Sequence, residues 1–427
     1  MGQRHQGRPI RVLVIPDKYR PDQCAGGAIY SDLCRGLADR GLDVTVRCPY
    51  PFYPEWRDKS GRNGWRIERT VEDGVTVERF GFFIPRNPKS VWQRMLLDVT
   101  FFLSLSRSLV SRRRYDAVIA FCPHSGGVAF AALYKMLFGG PMCLSVMDLP
   151  ADAALASGIT RRGRLQGLLQ VVQKTLFNFA DVWRSISPVM VERLEGLRTR
   201  DQPVVLIPDW IHPSIKGELR RLPSKIGRPA SRPVRLLYSG NIGAKQGLLE
   251  FCRALHAGPV PFFFQIHGDG GMAAEVRDWV ASAGDPRFSI GPLVDEPRFA
   301  RDLHDADLFV VTEKPHRNAS FFPSKIIPGM ISGTPILAVS SPDSPLGCEV
   351  REYGLGPWFS WDRCGAVAEL LATLESRPED LVAWQRNAIR RGEFFERDRW
   401  IDLFEQTTIA MVQDRSLART HPAAITS

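Results

Sequence analysis

Short apolar runs, each closed by a glycine, a proline or a polar cluster, repeat along the whole chain and predict alternating strands and helices. RVLVI at 11–15 reads as a strand. A polar loop and the pair Gly26-Gly27 lead from it into AIYSDLCRGLADRG, where Ile29, Leu33 and Leu37 recur every four residues and Gly41 supplies the stop. DVTVRC follows at once, completing a strand-helix-strand unit of the kind that builds parallel sheets. The first half continues with strands at 115–121, 141–146, 183–187 and 204–209. A second series falls at 234–240, 262–268, 287–293, 306–312 and 335–340, again with helices between. The pattern therefore predicts an α/β protein of two Rossmann-like, doubly wound parallel-sheet domains.

Between the two series, PSIKGELRRLPSKIGRPASR (213–232) loses its period and gathers Pro, Gly, Lys and Arg, which reads as a linker. The expected division is an N-terminal domain over 1–212, the linker over 213–232 and a second domain over 233–393. A C-terminal helix over 394–427, amphipathic at 394–412, would return to the first domain. At 427 residues and 44% hydrophobic, the chain is long enough for two such cores.

Charge changes the picture more than composition does. Residues 1–213 carry 30 Lys and Arg against 20 Asp and Glu, whereas 214–427 carry 26 against 26, so the whole excess of +10 belongs to the first half. A one-sided basic surface suits a phosphorylated substrate or an anionic membrane. No nucleic-acid-binding motif appears, and nucleic acid is not expected as a partner. Two basic, leucine-rich helices, about 91–113 and 161–179, suit attachment to an anionic bilayer; ordinary core-facing helices fit them equally. The stretches 91–110 and 126–147 are interrupted by Arg94, Asp98 and Arg107 and by Lys135, and neither reaches the ~18 uninterrupted apolar residues of a membrane span. No signal peptide is evident at the N-terminus, and eight cysteines without a C-x-x-C pair read as small core residues in a reducing compartment, so a cytoplasmic, at most peripheral, protein is expected.

Parallel sheets bind ligands beyond the carboxyl ends of their strands, so those loops hold the candidate chemistry. YSGNIGAKQG (238–247) offers backbone amides around Gly243 together with Lys245 for a diphosphate, although a plain turn has the same composition. EKPHRN (313–318) adds Lys314, His316 and Arg317, and PSK then opens a helix whose first amides Ser324 and Lys325 supplement. Pro328 in the first turn of that helix would fix its entry and keep it short. Asp305-Ala306-Asp307 has the spelling of a metal-binding pair but lies where a helix hands over to a buried strand, which reads as structural. None of the eight histidines has metal-ligand spacing, and no metal is expected.

The succession YSGNIGAKQGL, HGDGGMAAEV, IGPLVDE, ADLFVV and PSKIIPGMISGTPILAVSSPDS resembles the nucleotide-binding half of retaining glycosyltransferases of family four. In the first half, PYPFYPEWR, DGVTVERFGFFIPRNP, MDLPADAA and SISPVM look like the branch that builds colanic-acid, capsule and O-antigen polysaccharides. The resemblance covers nearly the whole chain. It implies a GT-B fold of two facing domains, a nucleotide-diphosphate sugar held in the cleft between them, no cofactor beyond that donor, and transfer with retention to an acceptor bound by the first domain.

Carried over by position, the resemblance implies donor contacts from Gly26, Gly27, Asn241, Gly243, Lys245, Gln246, Leu293, Ser324, Lys325 and Ile326. Asp148 of MDLP and His124 of FCPHSGG are the catalytic candidates. Three departures stand out. The phosphate-gripping Arg and Lys of many members fall at Asn241 and Gln246, so Lys245 or Lys325 would have to supply the charge. The ribose-binding Glu pair falls at Ser320 and Pro328, and the usual histidine falls at Ser145; His124 could replace it, although a residue in such a place more often merely caps a loop. Two readings stay open beside a transferase acting on a lipid-linked or membrane-near acceptor. One is a non-catalytic, glycosyltransferase-like subunit that binds a nucleotide or a partner; the other is a transferase for a small secondary-metabolite acceptor.

Overall fold

The computed structural model describes residues 8–22, 25–88, 90–149, 164–315 and 322–413. Two compact units divide the chain: one spans the residues up to Pro208 together with those from Asp398 onward, the other Asp209–Arg397.

The first unit is built on eight strands: β1 (Arg11–Ile15), β2 (Asp43–Pro49), β3 (Ile67–Glu72), β4 (Val75–Phe80), β5 (Ala117–Cys122), β6 (Met142–Val146), β7 (Val182–Ser185) and β8 (Val204–Leu206). They form one sheet in the order β3-β4-β2-β1-β5-β6-β7-β8, parallel throughout except for the antiparallel β3–β4 hairpin at its edge. The central strands are apolar on both faces because helices cover both; AVIAFC of β5 is buried at every position. Those helices are α1 (Ala25–Asp39), α2 (Val91–Ser106), α3 (Ser125–Phe138), α4 (Arg164–Phe177) and α5 (Pro188–Leu197). Leu13, Ile15, Phe101, Phe130 and Trp183 lie in the core they enclose.

The hairpin went unread in the strand periodicity, yet its turn is written plainly: Asp73 and Gly74 both have positive φ, 50° and 77°, as a two-residue turn between right-twisted strands requires.

The second unit holds β9 (Val234–Asn241), β10 (Phe262–Asp269), β11 (Phe288–Gly291), β12 (Leu308–Thr312), β13 (Ile336–Val339) and β14 (Trp358–Phe359), in the order β11-β10-β9-β12-β13-β14. Every pairing is parallel. Its helices are α6 (Pro213–Arg220), α7 (Leu248–His256), α8 (Ala273–Ala283), α9 (Glu296–Asp305), α10 (Ile326–Ser332), α11 (Pro345–Glu352), α12 (Val367–Thr373) and α13 (Pro378–Gly392). The last helix, α14 (Arg397–Gln413), carries the chain back to the first unit, where Arg40 pairs with Asp402.

The stretch 213–232 is folded rather than a linker. Pro213–Arg220 is a helix, capped by the His212 side chain accepting from Ser214 N. Lys225 is 2% exposed, its ammonium donating to the carbonyls of Leu303 and Ala306 and to Thr334 Oγ1. Burial lowers that ammonium to about 7. A Pro- and charge-rich composition masked a segment that is helical at its start and whose Lys225 is spent inside the second unit.

Candidate functional site

In each sheet the strand order reverses once, between β1 and β5 in the first unit and between β9 and β12 in the second. At such a switch point adjacent strands send their following loops in opposite directions, leaving a crevice at the carboxyl ends. The residues that follow these four strands therefore define the candidate sites.

In the second unit, Lys325 reaches the switch point from the start of α10. Its Nζ donates to Tyr238 Oη at 3.3 Å and stands 4.5 Å from the centroid of that ring. Gly240 lies beside it at φ +134°, a backbone conformation that favours glycine; a Cβ there would meet the ammonium only at ordinary contact distance, 4.0 Å. Burial lowers Lys325 to about 8, against the opposing pull of Glu313. Glu313, the first residue after β12, is the neighbour that reading the sequence missed. Burial raises its carboxyl to about 7, with Lys245 and Lys325 pulling it back, and among the described residues its Oε2 has no hydrogen-bond partner. Its backbone is fixed on both sides, the amide donating to Val339 O at 2.9 Å and the carbonyl accepting from Trp361 Nε1 at 2.7 Å. Lys245 is exposed in the loop after β9, and its carbonyl accepts from the Lys314 amide at 2.7 Å. The Lys314 ammonium itself pairs with Glu250.

Two of the amides expected to hold a diphosphate are already used. Gly243 N–H donates to Gln246 Oε1 at 3.0 Å, with Asn241 Nδ2 on the same oxygen at 3.5 Å. Ile326 N–H donates to Pro323 O at 3.0 Å, and the Ile326 side chain is fully buried. Ser324, half-buried, gives its carbonyl to Ile327 N–H at 3.0 Å. Helix α10 is only seven residues long, with Pro328 third, so the proline falls within the first turn as its chemistry demands. Leu293 is 56% exposed and follows β11 at the sheet edge, two strands from the switch point. Asp307 accepts from the amides of Ser231 and Arg235 at 3.1 and 2.7 Å and is buried, a structural role. His316, Arg317 and Ser320 lie outside the described residues.

In the first unit, Asp17 follows β1 and His124 follows β5. Asp17 is 3% exposed; its Oδ2 accepts from Lys18 Nζ at 2.5 Å and lies 3.8 Å from His124 Nε2. The other ring nitrogen, Nδ1, lies 3.4 Å from Asp98 Oδ1 of α2. Burial pushes the Asp17 carboxyl up, but Lys18 and His124 outweigh it and the net displacement is downward. Asp98 is held by the amide of Gly126 at 3.1 Å, an approach that only glycine permits, since a Cβ on Gly126 would lie 2.2 Å from the Asp98 carbonyl oxygen. His124 is thus the N-cap residue of α3 without a side-chain cap bond, its ring turned to two carboxylates instead.

Asp148 follows β6, one strand further on. Its Oδ1 accepts from the Leu149 amide at 2.9 Å and its carbonyl accepts from Cys122 Sγ at 3.4 Å. Gly26 and Gly27 lie in the first turn of α1 rather than in a loop before it, and Gly27 O accepts from Ser31 Oγ at 2.7 Å. Ser145 is fully buried within β6, accepting from Arg184 Nη1 at 3.0 Å, so that position points into packed protein. Among the described residues no three His, Cys, Asp or Glu side chains gather in the way a metal ion needs.

Comparison with known proteins follows the same lines. The family model of the glycosyl transferase 4-like domain matches residues 26–210. An Escherichia coli K12 protein described as a colanic acid biosynthesis glycosyl transferase, WcaI, is 26% identical over 328 residues, 74% of this chain and 80% of that protein. Among solved structures, sucrose-phosphate synthase from Thermosynechococcus elongatus superposes with a TM-score of 0.68 at 15% identity, over 94% of this chain and 100% of that one. Anabaena HepE, solved with UDP and glucose, superposes with a TM-score of 0.63 at 14% identity, over 94% and 99%. These two likenesses concern the fold, which is that of the GT-B glycosyltransferases. The resemblance to family four drawn from the motifs is borne out, and with it the fold.

Proposed function

We propose, from the premise that the chain is a glycosyltransferase whose residues 26–210 are a glycosyl transferase 4-like domain, that it moves a sugar from a nucleotide-diphosphate donor, with retention, to a lipid-linked or membrane-near acceptor in polysaccharide biosynthesis. The observation that carries the donor reading is the buried Lys325 ammonium held on Tyr238 at the switch point of the second unit, with Lys245 and Lys325 both acting on the Glu313 carboxyl. HepE, of like fold, was solved with UDP, a ligand of the chemistry this cation suits.

Charge builds on the diphosphate as the glycosidic bond breaks, and fixed cations aimed at it lower the barrier. Lys325 and Lys245 take that role here, with no cofactor beyond the donor. Glu313 modulates it: protonated below about 7 it is a neutral neighbour, ionised it competes with the phosphate for both ammonium groups. Incubation with a panel of nucleotide sugars, followed by release of nucleoside diphosphate, tests the reading. Binding of the nucleotides without release, across a broad acceptor set, would favour a non-catalytic glycosyltransferase-like subunit instead.

The membrane-near acceptor is supported by α2. Its inner face, Leu97, Phe101, Ser104 and Leu105, is buried, while Trp92, Met95, Leu96, Val99 and Leu103 form a second apolar stripe 39–78% exposed. Arg107, Arg112, Arg113 and Arg114 follow directly. No helix among the described residues is long and apolar enough to cross a membrane. An exposed stripe ending in cations suits lying along an anionic surface. Val99→Glu combined with Leu103→Glu should reduce sedimentation with phosphatidylglycerol-containing vesicles by about tenfold or more; equal sedimentation of variant and wild type removes this part of the proposal.

A further inference from the structure

One side chain from outside the switch point of the second unit touches both loops that leave it. Trp361 follows β14 at the sheet edge, and β14 lies two strands from β12. Its indole Nε1 donates to the Glu313 carbonyl at 2.7 Å, in the loop after β12. Its six-membered ring lies on Gly247, the residue that ends the loop after β9 and caps α7. A Cβ built on Gly247 would stand 2.6 Å from Trp361 Cη2, and the φ there is +63°, so both the indole and the backbone require a residue without a side chain. Tryptophan suits the two contacts, being a wide apolar plate with a single N–H donor at its edge.

The two loops are also joined to each other. Lys314 N–H donates to Lys245 O at 2.7 Å, and the Lys314 ammonium, whose stem passes Gly247, pairs with Glu250 of α7. With its amide tied to Val339 of β13 and its carbonyl to Trp361, Glu313 cannot shift without breaking one of these bonds. The charged groups acting on its carboxyl are Lys245, from the loop after β9, and Lys325, from the start of α10.

We propose that Trp361 is a positioning residue for the diphosphate end of the donor: it clamps the loops after β9 and β12, so that the Glu313 carboxyl is shielded from water and Lys245 and Lys325 keep their places around it. The role rests on the donor reading only in naming diphosphate as what those cations meet. Removing the indole N–H frees the Glu313 carbonyl and lets water reach the carboxyl, whose pKa of about 7 is owed to burial and should drop toward the ordinary carboxylate range. An ionised Glu313 then competes with phosphate at neutral pH.

Two cycles on the full chain, built from wild type, Trp361→Phe, Glu313→Gln and the double variant, test it. The first is thermal and needs no ligand. A carboxyl whose folded pKa is raised costs stability once the unfolded chain has ionised, so Glu313→Gln should raise the melting temperature at about pH 8, and on the Trp361→Phe background that gain should shrink to about half or less. The second follows UDP, GDP and ADP by titration calorimetry at about pH 6.5. Trp361→Phe should weaken the nucleotide that binds by about three- to tenfold, and by less than about twofold once Glu313 is replaced by Gln. Equal losses in both backgrounds, or an unchanged melting gain, reduce Trp361 to a structural role and overturn the proposal. Thermal coupling without nucleotide binding by the wild type would remove the donor reading and leave the hold of Trp361 on Glu313 standing. Nucleotide binding that ignores Trp361→Phe would do the reverse. Should Trp361→Phe fail to fold, Gly247→Ala, which displaces the indole from its other side, takes its place in both cycles.

Discussion

The two switch points carry the same kind of group under opposite control. Each has a carboxyl just past a central strand, with one oxygen lacking a partner among the described residues: Asp17 beyond β1 and Glu313 beyond β12. Asp17 is the more deeply buried, yet its pKa is lowered, because the Lys18 ammonium is in direct contact with it at 2.5 Å. Glu313 is only half-buried, yet burial raises it to about 7, because its lysines act across space without a hydrogen bond. Contact with a cation, more than depth, decides which carboxyl is ionised at neutral pH. The contrast bears on the proposed function: a carboxyl that can be neutralised suits a neighbourhood proposed to hold phosphate.

The comparison can be broken most forcefully at Lys325. If the second switch point holds the leaving diphosphate, Lys325→Ala should lower kcat/KM for the nucleotide sugar by about a hundredfold with little change in melting temperature; unchanged kinetics would end the assignment. A smaller, several-fold effect is expected from pH. Nucleoside diphosphate affinity, measured by titration calorimetry, should fall as pH rises through about 7 when Glu313 ionises, and fall further near 8 as Lys325 loses its proton. Glu313→Gln should abolish the first fall and keep the second.

The smallest effects are thermal, and they run in opposite directions. A carboxyl whose folded pKa is lowered stabilises the protein above its unfolded value and loses that benefit as acid protonates it, so Asp17→Asn should melt lower at neutral pH and converge with wild type on acidification below about 4. A carboxyl whose folded pKa is raised costs stability once the unfolded chain has ionised. Glu313→Gln should therefore melt higher, by about 2–4 °C, above pH 7 and match wild type near pH 4. Shifts of the same sign in both variants would undo the contrast.

Much of the architecture was legible in the sequence. Runs such as VRLLYSG and ADLFVVT announce buried parallel strands because both faces must be apolar beneath covering helices, and the ordered motifs identified the glycosyltransferase family. Lys325, singled out as a cation beside a helix start, does lie at a switch point. Of the amides grouped with it, Gly243 and Ile326 donate here to Gln246 and Pro323, a local choice that spacing does not reveal. Lys225, in a stretch read as linker, is a buried cation for the same reason: composition reports what a segment contains and not what it touches.

What the chain order determined by itself is the alternation of strands and helices, because hydrophobic period is a property of neighbouring residues. What only the tertiary structure decided is which loops share a crevice. Asp17, Asp98 and His124 are separated by some eighty residues or more from first to second and by α2 and β5 from second to third, yet meet where the strand order turns. Sheet order is set by long-range pairing, and the charge state of a carboxyl by the cation that pairing brings to it, so neither was written in any local stretch.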